Sequence, residues 1–194
     1  DIRGAGNLLG DEQSGHVAEV GFELYCQLID EAVADLAGRE ESAGEPEPVR
    51  FDIGVNAYLP ASYVPFEAAK IDIHRRIAAA RRPGDLRQIT DELIDRFGPL
   101  PEDVENLITL QQARIDLGSA GVEQVQFRGG KLTVSGIELD SEAAAAIRES
   151  VPGALYEWRS HELSVRIDND PAKRLATVSE LGRALADVGM LRQS

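Results

Sequence analysis

Thiol chemistry is almost closed to this chain, because only Cys26 among its 194 residues is a cysteine. A single cysteine forms no intramolecular disulfide and cannot by itself build a zinc or iron–sulfur centre, so the count fits a reducing cytoplasm. Positive charge is also short. Lys and Arg number 20 against 34 Asp and Glu, a net charge of −14. Affinity for nucleic acid comes mainly from neutralising phosphates with Lys and Arg, so this balance argues against the chain holding DNA or RNA by itself, and against an anionic membrane surface. No apolar run reaches the roughly 18 residues expected of a membrane span, and no basic-then-apolar start resembles a signal peptide. The chain opens on Asp1 rather than methionine and reads as a piece of something longer.

Several reaction-bearing patterns are missing too. There is no G-x-x-x-x-G-K-[ST] loop to cradle the phosphates of a nucleotide, and no G-x-S-x-G elbow for a serine nucleophile. Gly4, Gly6 and Gly10 fall one residue off the dinucleotide fingerprint and no strand precedes them, which leaves turn formation as their reading. His16, His74 and His161 have no metal-ligand spacing. Cys26 sits beside Tyr25 on an expected helix that must pack, so it reads as a small core residue.

What is present is ordered matter with 43% hydrophobic residues, ample for a core. Residues 1–16 are rich in glycine and polar groups and read as a loop. Leu24, Tyr25, Leu28, Ile29, Val33 and Leu36 recur at three- and four-residue steps, which predicts an amphipathic helix from about Phe22 to Leu36, closed by Gly38. The stretch 39–48 that follows, dense in Glu, Gly and Pro, has nothing to bury and reads as a flexible acidic linker.

From Val49 the pattern predicts a compact α+β domain: one strand, three helices and two hairpin–helix units. Val49, Phe51, Ile53, Val55, Ala57 and Leu59 alternate with polar or small neighbours, predicting a strand over 49–59 ended by Pro60. One helix is marked by Phe66, Ile73 and Ile77. A second carries Leu86, Ile89, Leu93 and Phe97, with Asp85 and Gln88 as a capping box and Gly98-Pro99 as its stop. A third runs from near Pro101 to Gly118. Val125 and Phe127, a Gly129-Gly130 turn, then Leu132 and Val134 form a hairpin, and Asp140 caps an Ala-rich helix reaching Ser150. Tyr156 and Trp158, with Leu163, Val165 and Ile167, form a second hairpin around Ser160-His161, and Asp170-Pro171 open a helix to about Val188.

Two charged groups are candidates for chemistry. Asp91, Glu92 and Asp95 share one helix, and Glu92 stands four residues before Arg96 in the favourable order for an ion pair. Paired carboxylates do acid–base work only where a cleft raises one pKa, so a solvated helix face is their default. Lys70, Arg75, Arg76, Arg81, Arg82 and Arg87 form a basic group able to face an acidic partner or DNA. No aromatic interleaving suggests base stacking, and a solvated face is the plainer reading.

The opening run Arg3-Gly4-Ala5-Gly6-Asn7-Leu8-Leu9-Gly10-Asp11-Glu12-Gln13-Ser14-Gly15 resembles the end of the second RecA-like motor domain of RecG-type double-stranded DNA translocases. Gly21-Phe22-Glu23-Leu24-Tyr25, Asn56-Ala57-Tyr58-Leu59-Pro60 and Glu92-Leu93-Ile94-Asp95-Arg96-Phe97-Gly98-Pro99-Leu100-Pro101 resemble the C-terminal region of bacterial transcription-repair coupling factors. The resemblance is strongest over 1–37 and 52–125.

What the resemblance implies is specific. Residues 1–16 would close the motor domain, 17–38 form a connecting helix, 39–48 a linker, and 49–194 a C-terminal regulatory domain. Arg3 and Gln13 would belong to the translocation motif that couples ATP hydrolysis to movement on DNA. ATP and magnesium would be held by the parent motor and not by this fragment, which is expected to be inactive alone. The regulatory domain would pack on the N-terminal UvrB-like module of the same protein, covering the surface that recruits UvrA and restraining the motor until RNA polymerase is engaged. Double-stranded DNA would be gripped by the motor. A helix cut off beyond a linker exposes an apolar stripe, so exchange between two chains is a further expectation. The alternative is a DNA-binding accessory domain of a RecG-like helicase, working through the basic group.

Overall fold

The computed structural model of the chain describes residues 48–191. The loop expected over 1–16, the helix over 17–38 and the linker over 39–48 lie outside the described residues save for Pro48, and so do Arg3, Gln13, His16 and Cys26. The described part is α+β, as its patterning predicts, and its elements follow the chain in the expected order.

Strand β1 (Arg50–Asp52) is the main departure in extent. The period-two burial persists well beyond it, with Val49, Phe51, Ile53, Ala57 and Leu59 all nearly inaccessible. Pairing stops after Asp52 because Gly54 turns the chain at a φ of +60° and carries it away from its neighbour. From there the chain is tied to a helix: the Tyr58 N–H donates to the Asp103 carbonyl at 3.3 Å, and Asn106 Nδ2 donates to the Asn56 carbonyl at 3.0 Å. Alternation therefore reports an extended segment with one buried face, and only three of its residues have a partner strand.

Helix α1 (Glu67–Ala79) buries Ile73, His74 and Ile77. Helix α2 (Pro83–Phe97) starts earlier than Asp85 and Gln88 suggest, with Arg82 at the N-cap position and Pro83, pre-set to a helical φ, opening the first turn. Asp85 is the third helical residue, and its carboxylate accepts from the backbone N–H groups of Arg81 at 3.2 Å and Arg82 at 3.0 Å. The expected capping box is thus shifted by one turn. Tyr63 holds the far end, its hydroxyl reaching the Leu93 carbonyl at 3.1 Å and the Gly98 carbonyl at 2.8 Å. Helix α3 (Glu102–Ser119) carries Glu102, Asp103 and Glu105 in its first turn, where the helix dipole favours negative charge.

Strands β2 (Gln124–Arg128) and β3 (Lys131–Ser135) form the first hairpin, with Gly129 and Gly130 both at positive φ as a two-residue turn requires. Helix α4 (Ser141–Ser150) begins where expected, Asp140 Oδ1 accepting from the Ala143 N–H at 2.8 Å. Strands β4 (Leu155–Glu157) and β5 (Glu162–Arg166) form the second hairpin and helix α5 (Pro171–Leu191) follows. Trp158 and Ile167 fall just outside these strands. Trp158 instead packs edge-on against Tyr156, ring centroids 4.8 Å apart.

The two hairpin–helix units do not stand side by side as copies. Strand β3 pairs antiparallel with β5, so the sheet order is β1-β2-β3-β5-β4, with β1 parallel to β2 and every other pairing antiparallel. Val125, Leu132, Val134, Leu163 and Val165 share one face and one core with Leu117 of α3 and Val178, Leu181 and Leu185 of α5. Their strand neighbours Gln126, Thr133 and Ser164 remain part-exposed, which puts the described helices on one side only. Helices α3 and α5 approach closely at Gly182, where a β-carbon would stand 3.3 Å from Asp116 Cβ.

One side chain closes the fold. Arg174 Nη1 donates to the carbonyls of Ile53 at 2.7 Å and Gly54 at 2.9 Å, Nη2 donates to Asn169 Oδ1 at 2.6 Å, and the guanidinium lies 4.4 Å from the Phe127 ring centroid. A planar five-donor fork suits this arrangement and a point charge does not. Arg174→Ala is expected to lower the unfolding free energy by about 2 kcal/mol, with Arg174→Lys recovering only part, as read by urea denaturation.

His74 supplies a pH signature. Burial, reinforced by the nearby Lys70 charge, pulls its imidazole down to about 4. The unfolded chain takes up the proton first as pH falls below about 6.5, so stability drops between about 6.5 and 4. Between pH 6.5 and 5.0 the loss is expected to be about 1.5 kcal/mol, and His74→Gln should flatten that window in urea titrations at the two pH values.

Candidate interaction surfaces

The carboxylate cluster divides into two exposed residues and one engaged residue. Asp91 and Asp95 point to solvent on α2. Glu92 bridges two helices, its oxygens accepting from Arg76 of α1 at 2.6 Å and from Arg96 at 2.8 Å. The hydrogen bonds from Arg76 and then Arg96 hold its carboxyl down to about 2. A carboxylate so held is a structural tie and a poor proton donor. An acid–base pair at Asp91 and Asp95 needs an enclosing cleft, and both side chains stand in open solvent instead.

The basic group is likewise divided. Lys70 pairs with Glu67 at 3.1 Å and Arg76 with Glu92, whereas Arg75, Arg81, Arg82 and Arg87 are exposed around the α1–α2 corner. Among the described residues no carboxylate side chain reaches any of those four within ion-pair distance. Of the histidines, His74 is buried and His161 occupies the second hairpin turn at a φ of +54°. Among the described residues no group of three or more His, Cys, Asp or Glu could hold a metal ion. The segment Asp95 to Pro101 makes the α2–α3 corner that its glycine and prolines predict. Phe97 packs against Tyr63 with ring centroids 5.7 Å apart, and Arg96 lies 5.0 Å over the Phe97 ring.

The sequence reading missed the uncovered face of the sheet. Arg128, Lys131 and Arg166 are register partners on three adjacent strands and all three are exposed. Asp52 on β1 pairs with Arg128 at 2.9 Å. The β2–β3 register is deducible from the Gly129-Gly130 turn, which puts Arg128 opposite Lys131. Nothing local tells that β5 joins β3, and without that pairing Arg166 belongs to no row.

Residues 53–146 match the family model of the TRCF domain. The chain carries a TRCF domain. Transcription-repair-coupling factors resemble it over longer spans. That of Staphylococcus haemolyticus is 40% identical over 135 residues, 70% of this chain and 12% of that protein, and that of Mycobacterium tuberculosis is 34% identical over 177 residues, 86% of this chain and 14% of that protein. This chain therefore spans only about an eighth of the length of such relatives. A crystal structure of the C-terminal domain of transcription-repair coupling factor superposes with a TM-score of 0.67 at 21% identity, covering 75% of this chain and 96% of that one, a likeness of fold. The TRCF match begins at Ile53, just past β1, and ends within α4, so it contains both the Glu92 tie and the first hairpin. Among the described residues no helix is long and apolar enough to cross a membrane.

The geometry ranks the α2 carboxylates. Glu92→Gln is expected to cost about 1 kcal/mol, because a carboxylate about one-third exposed at 34% is partly screened. The double substitution Asp91→Asn, Asp95→Asn should stay within about 0.5 kcal/mol of the parent, and comparing the two urea midpoints checks the ranking.

Proposed function

We propose that this chain is the C-terminal part of a transcription-repair coupling factor, an ATP-dependent double-stranded DNA translocase that displaces stalled RNA polymerase and recruits excision repair. In this reading the TRCF domain is the protein-interaction module that restrains the parent. It docks on the N-terminal UvrB-like module and masks the surface that recruits UvrA. The observation that carries the reading is the TRCF match over 53–146, supported by the coupling-factor relatives. A module of this kind needs a complementary surface and a coupling free energy between two states, and no reacting group.

The chain's own residues fit that division of labour. Its sequence contains no phosphate-cradling glycine–lysine loop, and its described residues hold no metal-binding cluster of three or more His, Cys, Asp or Glu. In this reading ATP and magnesium are bound by the motor of the parent. Arg3 and Gln13 would serve that motor as its translocation motif, an always-charged guanidinium and a side-chain amide suited to holding a movable loop or a phosphate. The fragment alone would hydrolyse no ATP.

The second reading, a DNA-binding accessory domain of a RecG-like helicase, draws on Arg75, Arg81, Arg82 and Arg87, whose exposed guanidinium groups make no ion pair among the described residues. Against it, residues 49–191 hold 22 Asp and Glu to 17 Lys and Arg, a net −5 that repels a polyanion. Removing the segment corresponding to 49–194 from the parent protein is expected to raise basal ATPase activity several-fold and to strengthen UvrA binding by tenfold or more. Unchanged UvrA affinity, read by surface plasmon resonance, would overturn the masking role. Tight, steeply salt-dependent duplex binding by the chain in a gel shift would favour the helicase reading instead.

A further inference from the structure

Strand pairing gathers positive charge on the side of the sheet that no described helix covers. Arg128 on β2, Lys131 on β3 and Arg166 on β5 are direct register partners, so neighbouring members are about 4.8 Å apart at the backbone. Like charges directly opposite one another across a ladder are destabilising. Asp52 relieves Arg128. Among the described residues no carboxylate side chain reaches Lys131 or Arg166 within ion-pair distance. The row also stands out against a domain that is net negative over 49–191.

The same end of the sheet has shape and an apolar group. Lys131 and Arg166 line a groove of about 410 Å³ with Gly153, Leu155 and Ser164. Leu155, opposite Ser164 on the edge strand, is 61% exposed, one of the largest apolar surfaces left open among the described residues. The far end of the same face is negative, because Glu157 and Glu162 are partners four residue rises, roughly 13 Å, from the cation row. The face is therefore polar along the strands, with cations and an apolar side chain at one end and carboxylates at the other.

We propose that this end of the open sheet face docks an extended acidic peptide segment of a partner protein, with carboxylates on Lys131 and Arg166 and an apolar side chain in the groove against Leu155. Charge complementarity selects the occupant. In an extended segment alternate side chains lie roughly 7 Å apart and face one way, which lets two carboxylates and then an apolar residue meet the two cations and Leu155. A nucleic acid backbone fits worse, since it draws affinity from many phosphate contacts and here meets two free cations bounded by Asp52, Glu157 and Glu162. This docking surface lies beyond the family reading and does not depend on it.

The test uses the full 194-residue chain and a fluorescein-labelled peptide, Glu-Thr-Glu-Thr-Leu flanked by Gly-Ser, in anisotropy titrations at low ionic strength. Saturable binding is expected, at least tenfold tighter than for the matched Lys-Thr-Lys-Thr-Leu peptide. The pair Lys131→Glu, Arg166→Glu should weaken it tenfold or more, and Leu155→Ser about threefold, with the urea midpoints of these exposed substitutions unchanged. Lys131→Ala with Arg166→Ala provides the same readout should charge reversal disturb folding. Equal affinity for the two peptides, or binding indifferent to residues 131 and 166, overturns the proposal. So does duplex DNA binding more tightly than the peptide and lost with the same substitutions. A concentration-dependent dimer that these substitutions dissolve would assign the face to a second copy. A tenfold gain in peptide affinity on Glu40, Glu41, Glu45 and Glu47→Gln would assign it to the chain's own acidic segment. Either result overturns the partner reading.

Discussion

The antiparallel pairing of β3 with β5 is the constraint on which the rest of the domain rests. Each hairpin alone is a two-stranded ribbon, marginal in water and unable to shield an apolar face. Joined through β3 and β5 they present Val125, Val134 and Leu163 in one row and Leu132 and Val165 in the next, a continuous apolar surface broad enough for two long helices. Because strand side chains alternate, the same registration that assembles this surface also assembles its polar opposite. Among the described residues, covering one face with helices and leaving the other uncovered is thus a single decision, and the charged row on that second face is its consequence.

Much of this could be read from the chain, and what could not be read has identifiable causes. Helices α1 to α3, the Asp140 cap and both hairpins are announced by local signals, namely three- and four-residue apolar spacing, a capping carboxylate, paired glycines at the first hairpin turn and alternation on either side of the second. Alternation over 49–59 predicts a longer strand because it measures burial of one face, whereas a ladder also needs a partner that stays alongside, and Gly54 ends that at Asp52. The N-cap of α2 stands one turn before the one that Asp85 suggests, because a carboxylate in the first turn serves equally as cap or as the residue that reaches back, and Pro83 decides between them. Arg166 could not be joined to Arg128 and Lys131 from sequence, since sheet order between hairpins is a tertiary fact.

Charge is distributed more unevenly than the total suggests. The whole chain is −14, yet residues 49–191 account for only −5 of it. Most of the net negative charge lies in residues 1–48, and the domain itself is a mixed surface with separate basic and acidic districts. The α1–α2 corner, the cation end of the sheet and the Glu157–Glu162 end are three such districts, the first two suited to anionic partners and the third to a cationic one. The exclusion of polyanions that follows from net charge is therefore a long-range statement, screened beyond about 10 Å at moderate salt, and leaves room for short anionic ligands at close range.

Arg174 adds a dimension of time. It fastens the carbonyl of Ile53, 121 residues earlier in the chain, so the turn that ends the first strand lacks this clasp until the last helix has begun. At bacterial-scale synthesis rates of about 5–20 residues per second, that wait is on the order of ten seconds. During it Phe51 and Ile53, both destined for the core, stand without the side chain that pins the turn beside them. The turn after the first strand thus leaves the ribosome early in the synthesis of this domain and gains its side-chain clasp only near the end.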